Sequence, residues 1–285
     1  MQLAGSFARD FSIEATRPDA AEIDKIATVL PKGTLVYITA VPTQSLAELA
    51  GTAARVRKAG LGPTVHVAAR RIAAVGDLPE MLAALRGEAD VRQLLVIAGD
   101  VDQTGPFPDA LSVIQKGRLR EAGIEEIGIG VYPEGHPRIA ADRLEAALDA
   151  KIAAAKAQGL KLHLVSQFSF SPDGILAWLK RLRACGITVP VKVGMAGPTS
   201  LPSLLRYAKR CGVNASLRGL MSGAASALIG NVGPDRIVET LSAAGRDIGD
   251  AHPHYFAFGG LADTARYATE AAAKSNPLRQ LAAGS

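Results

Sequence analysis

Cysteine is nearly missing: Cys185 and Cys211 are the only two in 285 residues, and neither lies in a CxxC or Cys–His spacing. No disulfide framework or structural zinc site is therefore expected, and the default setting is reducing and cytoplasmic. Aromatic residues are scarce at 5%. Alanine and glycine take their place, which suits helices packed closely on a sheet. No apolar run reaches the roughly 18 residues of a membrane span, so no membrane role is expected. The opening MQLAGSFARDFSIEA lacks the basic flank and apolar stretch of a signal peptide. The net charge of +5 is spread along the chain, and no basic run is interleaved with aromatics. Arg70-Arg71 and Lys180-Arg181 read as solvated helix edges, and nucleic acid is not an expected partner.

What is present is a regular alternation. With 48% hydrophobic and 21% charged residues, the chain has the composition of a packed soluble protein. Short apolar or β-branched runs (DFSIEAT, TLVYITAV, PTVHVAA, QLLVIAG, EIGIGVY, LHLVSQF, VPVKVGM, HYFAFGG) alternate with stretches of helical period. Those stretches include SLAELAGTAARVRKAG, ALSVIQKGRLREAG, ADRLEAALDAKIAAAKAQG and GILAWLKRLRACG. Gly60, Gly123, Gly159 and Gly186 close them, as left-handed residues after a helix do. Eight strands with intervening helices predict a (β/α)8 TIM barrel, a single domain over residues 1–285 with an extra helical segment around 214–250. The rival, an open doubly wound sheet, usually carries a glycine-rich nucleotide fingerprint, and no GxGxxG or GxxxxGK[ST] follows any strand candidate.

Chemistry in such barrels sits at the carboxyl ends of the strands. The candidates there are Glu14, Thr39, His66, Asp100, Tyr132 and Gln167, followed on the seventh strand by Met195-Ala196-Gly197. Strand parity puts Leu94, Val96, Ala98 and Asp100 on one face, Gly128, Gly130 and Tyr132 on another, and His163, Val165 and Gln167 on a third. If the terminal polar residues point inward, the two glycines leave room for something flat near the barrel mouth. Plainer readings compete. Glu14, a carboxylate in an apolar run, must be paired or have a raised pKa, and Arg17 is a structural partner to consider. Asp100 could be a turn residue, Thr39 strand filler and His163 a core residue. His252 and His254 flank Pro253 before the last strand, and two histidines without a nearby carboxylate are weak evidence for a metal.

The stretch GVYPEGHPRI follows the fifth strand, and its alternating Pro133, Gly135 and Pro137 stop pairing near Tyr132. Its VYPEGHP resembles the signature of the methylenetetrahydrofolate reductase family, a flavin-dependent (β/α)8 barrel. FSIEATRP, VYITA, PTVHVAA, IAGD and SQFSF resemble, in order, that family's motifs on strands one, two, three, four and six. The similarity spans about residues 7 to 260. It implies FAD lying across the barrel top, lined by His66, Gly99, Asp100, Ala110, Tyr132 and His136. Lys151 is the candidate for the diphosphate, with Lys156 the alternative. Glu14 would be the general acid and base, Asp100 would tune the flavin and with Gln167 hold the pterin, and Thr39 would line a shared nicotinamide or folate face.

The resemblance therefore implies an oxidoreductase interconverting 5,10-methylenetetrahydrofolate and 5-methyltetrahydrofolate, with a tetrahydrofolate derivative as partner and NAD(P)H as electron donor. A homo-oligomer is the expected assembly. Opening the methylene bridge requires a proton delivered to a nitrogen leaving group, which suits a carboxylic acid of raised pKa. The sequence departs from the family pattern where Ala98 replaces an arginine, where strand one lacks a Phe-Pro-Pro ending, and where Ser171 replaces an aspartate. These departures leave two alternatives open: a folate-binding barrel that moves a methyl group without redox chemistry, or a flavin- or folate-binding regulatory subunit.

Overall fold

The computed structural model describes residues 7–39, 41, 44–103, 105–211, 213 and 231–275. Seven strands follow one another, each leading to a helix: β1 (Ser12–Thr16), β2 (Leu35–Thr39), β3 (Gly62–Ala68), β4 (Gln93–Ile97), β5 (Glu126–Val131), β6 (Lys161–Ser166) and β7 (Val191–Ala196). A two-residue pair, β8 (Thr199–Ser200) with β9 (Asn231–Val232), precedes the eighth barrel strand, β10 (Ala251–Phe256). These eight strands close an all-parallel barrel in the order β1-β10-β7-β6-β5-β4-β3-β2. The expected (β/α)8 architecture is present.

The helices are α1 (Ala20–Ala27), α2 (Leu46–Lys58), α3 (Asp77–Ala89), α4 (Ala110–Lys116), α5 (Ala141–Ala157), α6 (Pro172–Ala184), α7 (Leu201–Cys211), α8 (Asp235–Ala244) and α9 (Leu261–Lys274). Several starts are written into the sequence. Asp19 with Glu22 and Ser45 with Glu48 form reciprocal capping boxes, and Ser171 caps α6 ahead of Pro172. Gly60, Gly123, Gly159 and Gly186 all adopt positive φ, as their positions predict. The run ALSVIQKGRLREAG, however, is helical only to Lys116. Gly117 is the C-cap there, and a Cβ on it would stand 2.5 Å from the Val113 carbonyl oxygen. Helix α8 lies in the expected extra segment; residues 214–230 of that segment are outside the described residues.

Strand alternation divides the interior into two regions of different character. Ile13, Val36, Val65, Leu94, Ile127 and Val193 point outward into the large apolar layer beneath the helices, and all are fully buried. Burial of each such side chain is worth about 1.5–3 kcal/mol, so this layer holds the barrel together. The lumen is different. Among the described residues its apolar cluster is small, Tyr37, Leu95 and Val165, with Leu35 and Ile97 at its margin. Most of the remaining inward positions are polar.

Two strand expectations are corrected here. Leu94 and Val96 face the helices, while Gln93, Leu95 and Ile97 face the lumen, as the register of Leu95 on Gly128 requires. Pairing of β4 ends at Ile97, and Gly99 at φ +95° redirects the chain, so Asp100 does not inherit the parity of the strand. The last strand begins at Ala251, earlier than read, and includes His252, Pro253 and His254. Proline is tolerated because pairing to β1 starts only at Ser12 on His254, so Pro253 stands before that ladder begins.

Candidate functional site

Glu14 lies on the inward face of β1, with its side chain 13% exposed. Its Oε1 accepts from Thr39 Oγ1 at 3.3 Å. Its Oε2 lies 3.3 Å from His66 Nε2 and 3.4 Å from His254 Nε2. The His66 nitrogen is off the line of a hydrogen bond, so its influence on the carboxylate is chiefly electrostatic. Side chains from three other strands thus converge on one carboxylate. Burial alone would raise the Glu14 pKa, but the electrostatic effect of His66 and the hydrogen bond from His254 outweigh it and hold the group down at about 2. Of the two expectations, pairing or a raised pKa, the first holds and the second is corrected: two imidazoles sit against Glu14, and they favour its ionised form.

Behind Glu14 stands a serine. Ser12 Oγ is 2.9 Å from His254 Nδ1, both residues being fully buried. Deeper in the lumen, Tyr37 Oη meets His163 Nε2 at 2.7 Å, and His163 Nδ1 meets Glu126 Oε1 at 2.7 Å. The roles there follow from the partners. Glu126 is ionised, its pKa lowered first by the His163 bond, so Nδ1 carries the hydrogen and Nε2 accepts from the phenol. Burial lowers the His163 pKa and raises that of Tyr37 well above the ordinary phenol value, so neither group is charged near neutrality. His163 thus belongs to the packed lumen, as the plainer reading had it.

The two glycines of β5 are not equivalent. A Cβ on Gly128 would stand 2.6 Å from His163 Nε2, so the space it leaves is filled by that imidazole. A Cβ on Gly130 would meet only Ile97 Cγ2, at 3.9 Å. Room for a flat group is confined to the upper glycine.

The remaining candidates surround the mouth. Tyr132 and His136 meet edge to face at 4.9 Å, and burial raises the pKa of the first and lowers that of the second. Gln167 is half-buried, its Oε1 accepting from the Phe168 N–H at 3.1 Å. Ala110 opens α4 directly after its cap Asp109, and the Lys151 ammonium, half-buried on α5, feels the Asp109 charge. Lys156 is exposed further along the same helix, away from the strand ends. Asp100, 64% exposed, is bound by Arg71 Nη2 at 2.5 Å. Arg71 belongs to the short 3₁₀ turn Ala69–Arg71 after β3, and Arg70 of that turn donates its backbone N–H to the Ala98 carbonyl.

Sequence reasoning missed His254, Ser12 and Tyr37 as members of the site. The signal was parity: once β10 starts at Ala251, His252, His254 and Phe256 share a face with Ser12 and Glu14 across the register. Among the described residues no three His, Cys, Asp or Glu side chains are arranged to hold a metal, and no helix is long and apolar enough to cross a membrane.

Comparison with known proteins gives both a family and a fold. The profile described as Methylenetetrahydrofolate reductase matches residues 22–218, more than half of the chain; β1 and β10 lie outside it. A 5,10-methylenetetrahydrofolate reductase from Pectobacterium carotovorum subsp. carotovorum is 27% identical over 128 residues, 42% of this chain and 39% of that protein. The chain thus spans about two-fifths of the length of the curated relative it matches. Among solved structures, a putative phosphonomutase from Burkholderia cenocepacia J2315 superposes with TM-score 0.53 at 14% identity, covering 88% of each chain. Dihydropteroate synthase from Thermus thermophilus gives 0.51 at 15%, covering 93% of this chain and 91% of that one. At such identities the likeness concerns the fold.

Proposed function

Because the chain belongs to the methylenetetrahydrofolate reductase family, we propose that it interconverts 5,10-methylenetetrahydrofolate and 5-methyltetrahydrofolate as an FAD-dependent oxidoreductase, with NAD(P)H as the other electron partner. The observation that carries this reading is the convergence of Thr39, His66 and His254 on Glu14 at the carboxyl ends of the barrel strands.

The residues at the mouth suit a flavin. Gly130 leaves open a space that a larger side chain would fill. Tyr132 and His136 form an aromatic wall, Gly99 and Ala110 present little bulk, and Lys151 supplies a cation near the start of α4 for a diphosphate. Lys156, exposed and further from the strand ends, suits that role less well. The family's arginine before Gly-Asp is Ala98 here, and Arg71 brings a guanidinium to the same turn from the β3 side, offsetting the charge of Asp100. FAD, when bound, supplies the hydride step at the one-carbon unit.

This chain's own residues handle position and protons. Gln167, with Oε1 engaged by the Phe168 N–H, keeps its amide hydrogens for acceptors on a pterin ring. Asp100 is the second pterin contact. As 5-methyltetrahydrofolate is oxidised, N10 bonds to the one-carbon unit and its hydrogen leaves as a proton, which Glu14 accepts. In the reductive direction the same proton returns from Glu14 to N10 as the bridge opens. An ionised Glu14 begins as the base, ready to take the N10 proton in the oxidative half of the reaction.

Equilibrium titration tests this reading: the protein quenches FAD fluorescence on binding, and anaerobic 5-methyltetrahydrofolate bleaches the bound flavin. A protein with no affinity for FAD would overturn the proposal. Methyl transfer to an acceptor with unchanged flavin absorbance would replace it with a folate-binding methyltransferase.

A further inference from the structure

His254 has the contacts of a device rather than of packing. It is fully buried on the inner face of β10, and among the described residues each ring nitrogen has a single hydrogen-bonding neighbour: Ser12 Oγ at Nδ1, 2.9 Å away, and Glu14 Oε2 at Nε2, 3.4 Å away. A bare Nε2 lone pair against a carboxylate oxygen would be repulsive, so Nε2 carries hydrogen. The ring is neutral, because burial lowers its pKa and the charges of Lys192 and His66 add to that, against the raising effect of Glu14. A neutral ring protonated on Nε2 has an acceptor at Nδ1, to which the Ser12 hydroxyl donates at 2.9 Å in preference to the Pro253 carbonyl at 3.5 Å. Tyr37 from β2 closes the remaining side with an edge-to-face contact at 4.6 Å, and Phe256 packs at 5.1 Å. The titratable or charged groups facing this imidazole are therefore Glu14 on β1, Tyr37 on β2, His66 on β3 and Lys192 on β7.

We propose that His254 is a positioning residue for the proton step: with its tautomer set by Glu14 and supported by Ser12, its Nε2–H anchors Oε2 of Glu14 and leaves Oε1, beside Thr39, as the oxygen that exchanges a proton with the folate. This rests on the functional reading above. His66 alone could not fix the carboxylate in this way, since its Nε2 approaches Oε2 out of alignment. The anchor also favours the anion, because protonating Glu14 weakens the bond it receives. Loss of the anchor therefore raises the pH at which Glu14 becomes protonated.

The test compares His254→Phe, His254→Gln and Ser12→Ala with the unaltered protein, all loaded with FAD. Stopped-flow absorbance follows flavin reduction by NADH and, separately, by 5-methyltetrahydrofolate as a function of pH. His254→Phe slows the folate reaction by about 10–100-fold, less than the ~10²–10⁴ that a whole general acid or base contributes, and moves its acid limb to higher pH. His254→Gln, which keeps an N–H donor, recovers part of both, and reduction by NADH keeps its rate throughout. An unmoved acid limb in His254→Phe would overturn the proposal, as would an equal fall in both reactions, which marks a purely structural role. Nitrogen-15 NMR of the folate-free protein gives a readout independent of activity. His254 holds its proton on Nε2 from pH 6 to 8 in the unaltered protein and exchanges between tautomers in Ser12→Ala. A hydrogen on Nδ1 in the unaltered protein would sink the anchor even if folate turnover is found. If 5-methyltetrahydrofolate fails to reduce the flavin while the NMR result holds, the functional reading falls and the fixed tautomer stands.

Discussion

Gly128 and Gly130 are two residues apart on one strand face, yet the structure makes opposite demands on them. Gly128→Ala drives a methyl into the His163 ring, and overpacking of this kind costs about 1–3 kcal/mol, read as a lower urea midpoint. Gly130→Ala leaves that midpoint unchanged, whereas Gly130→Leu fills the space above it and weakens FAD binding in a fluorescence titration. Tyr37→Phe leaves the buried His163 Nε2 without its donor and costs about 1–3 kcal/mol in the same denaturation assay. Much at this scale was legible in advance: Glu14, Thr39 and His66 stand out as polar residues closing apolar runs, and they do converge. His254 was not legible, since Pro253 reads as a strand breaker and hides the parity that links His254 to Ser12. The direction of the Glu14 pKa was hidden too, because a carboxylate in an apolar run reads as unpaired until its partners on distant strands are known.

Helix α5 is the element on which the cofactor proposal can be decided, because it carries both candidate lysines. Lys151 is half-buried near the capped start of α4 and Lys156 is exposed, so the proposal gives the diphosphate to Lys151. Lys151→Ala weakens FAD binding by about tenfold or more, the loss of one charge-assisted hydrogen bond, while Lys156→Ala leaves the dissociation constant unchanged; equal effects would contradict the assignment. The helices and strands themselves were readable because caps, closing glycines and apolar runs are local signals. The inward face of β4 was not, because Leu94, Leu95, Val96 and Ile97 are all apolar and parity has nothing to grip. Its register comes from Gly128 on the neighbouring strand, a contact that no local pattern encodes.

The barrel as a whole encloses a polar, titratable lumen within an apolar sleeve, and this gives its stability a definite pH dependence. His163 and His254 have folded pKa values below the ordinary 6.5, so as pH falls the unfolded chain takes up their protons first. Glu14, held at about 2 against an ordinary 4.5, adds stability that is complete above the ordinary value and is lost as pH falls toward 2. Both effects run the same way: the unfolding free energy, read through the urea midpoint, declines below about pH 6.5 by up to about 1.4 kcal/mol per pH unit for each histidine, and His254→Phe flattens the decline. A midpoint independent of pH between 8 and 5 would contradict this picture. The closed barrel could be foreseen from eight alternating runs, but the polarity of its lumen could not, because its members come from all around the barrel. The central claim is that Glu14 serves the folate and not the nicotinamide reaction, and half-reactions of FAD-loaded Glu14→Gln test it most directly. The account predicts that NADH still bleaches the flavin of this variant at the normal rate while 5-methyltetrahydrofolate no longer does. Bleaching by 5-methyltetrahydrofolate at an undiminished rate would contradict it.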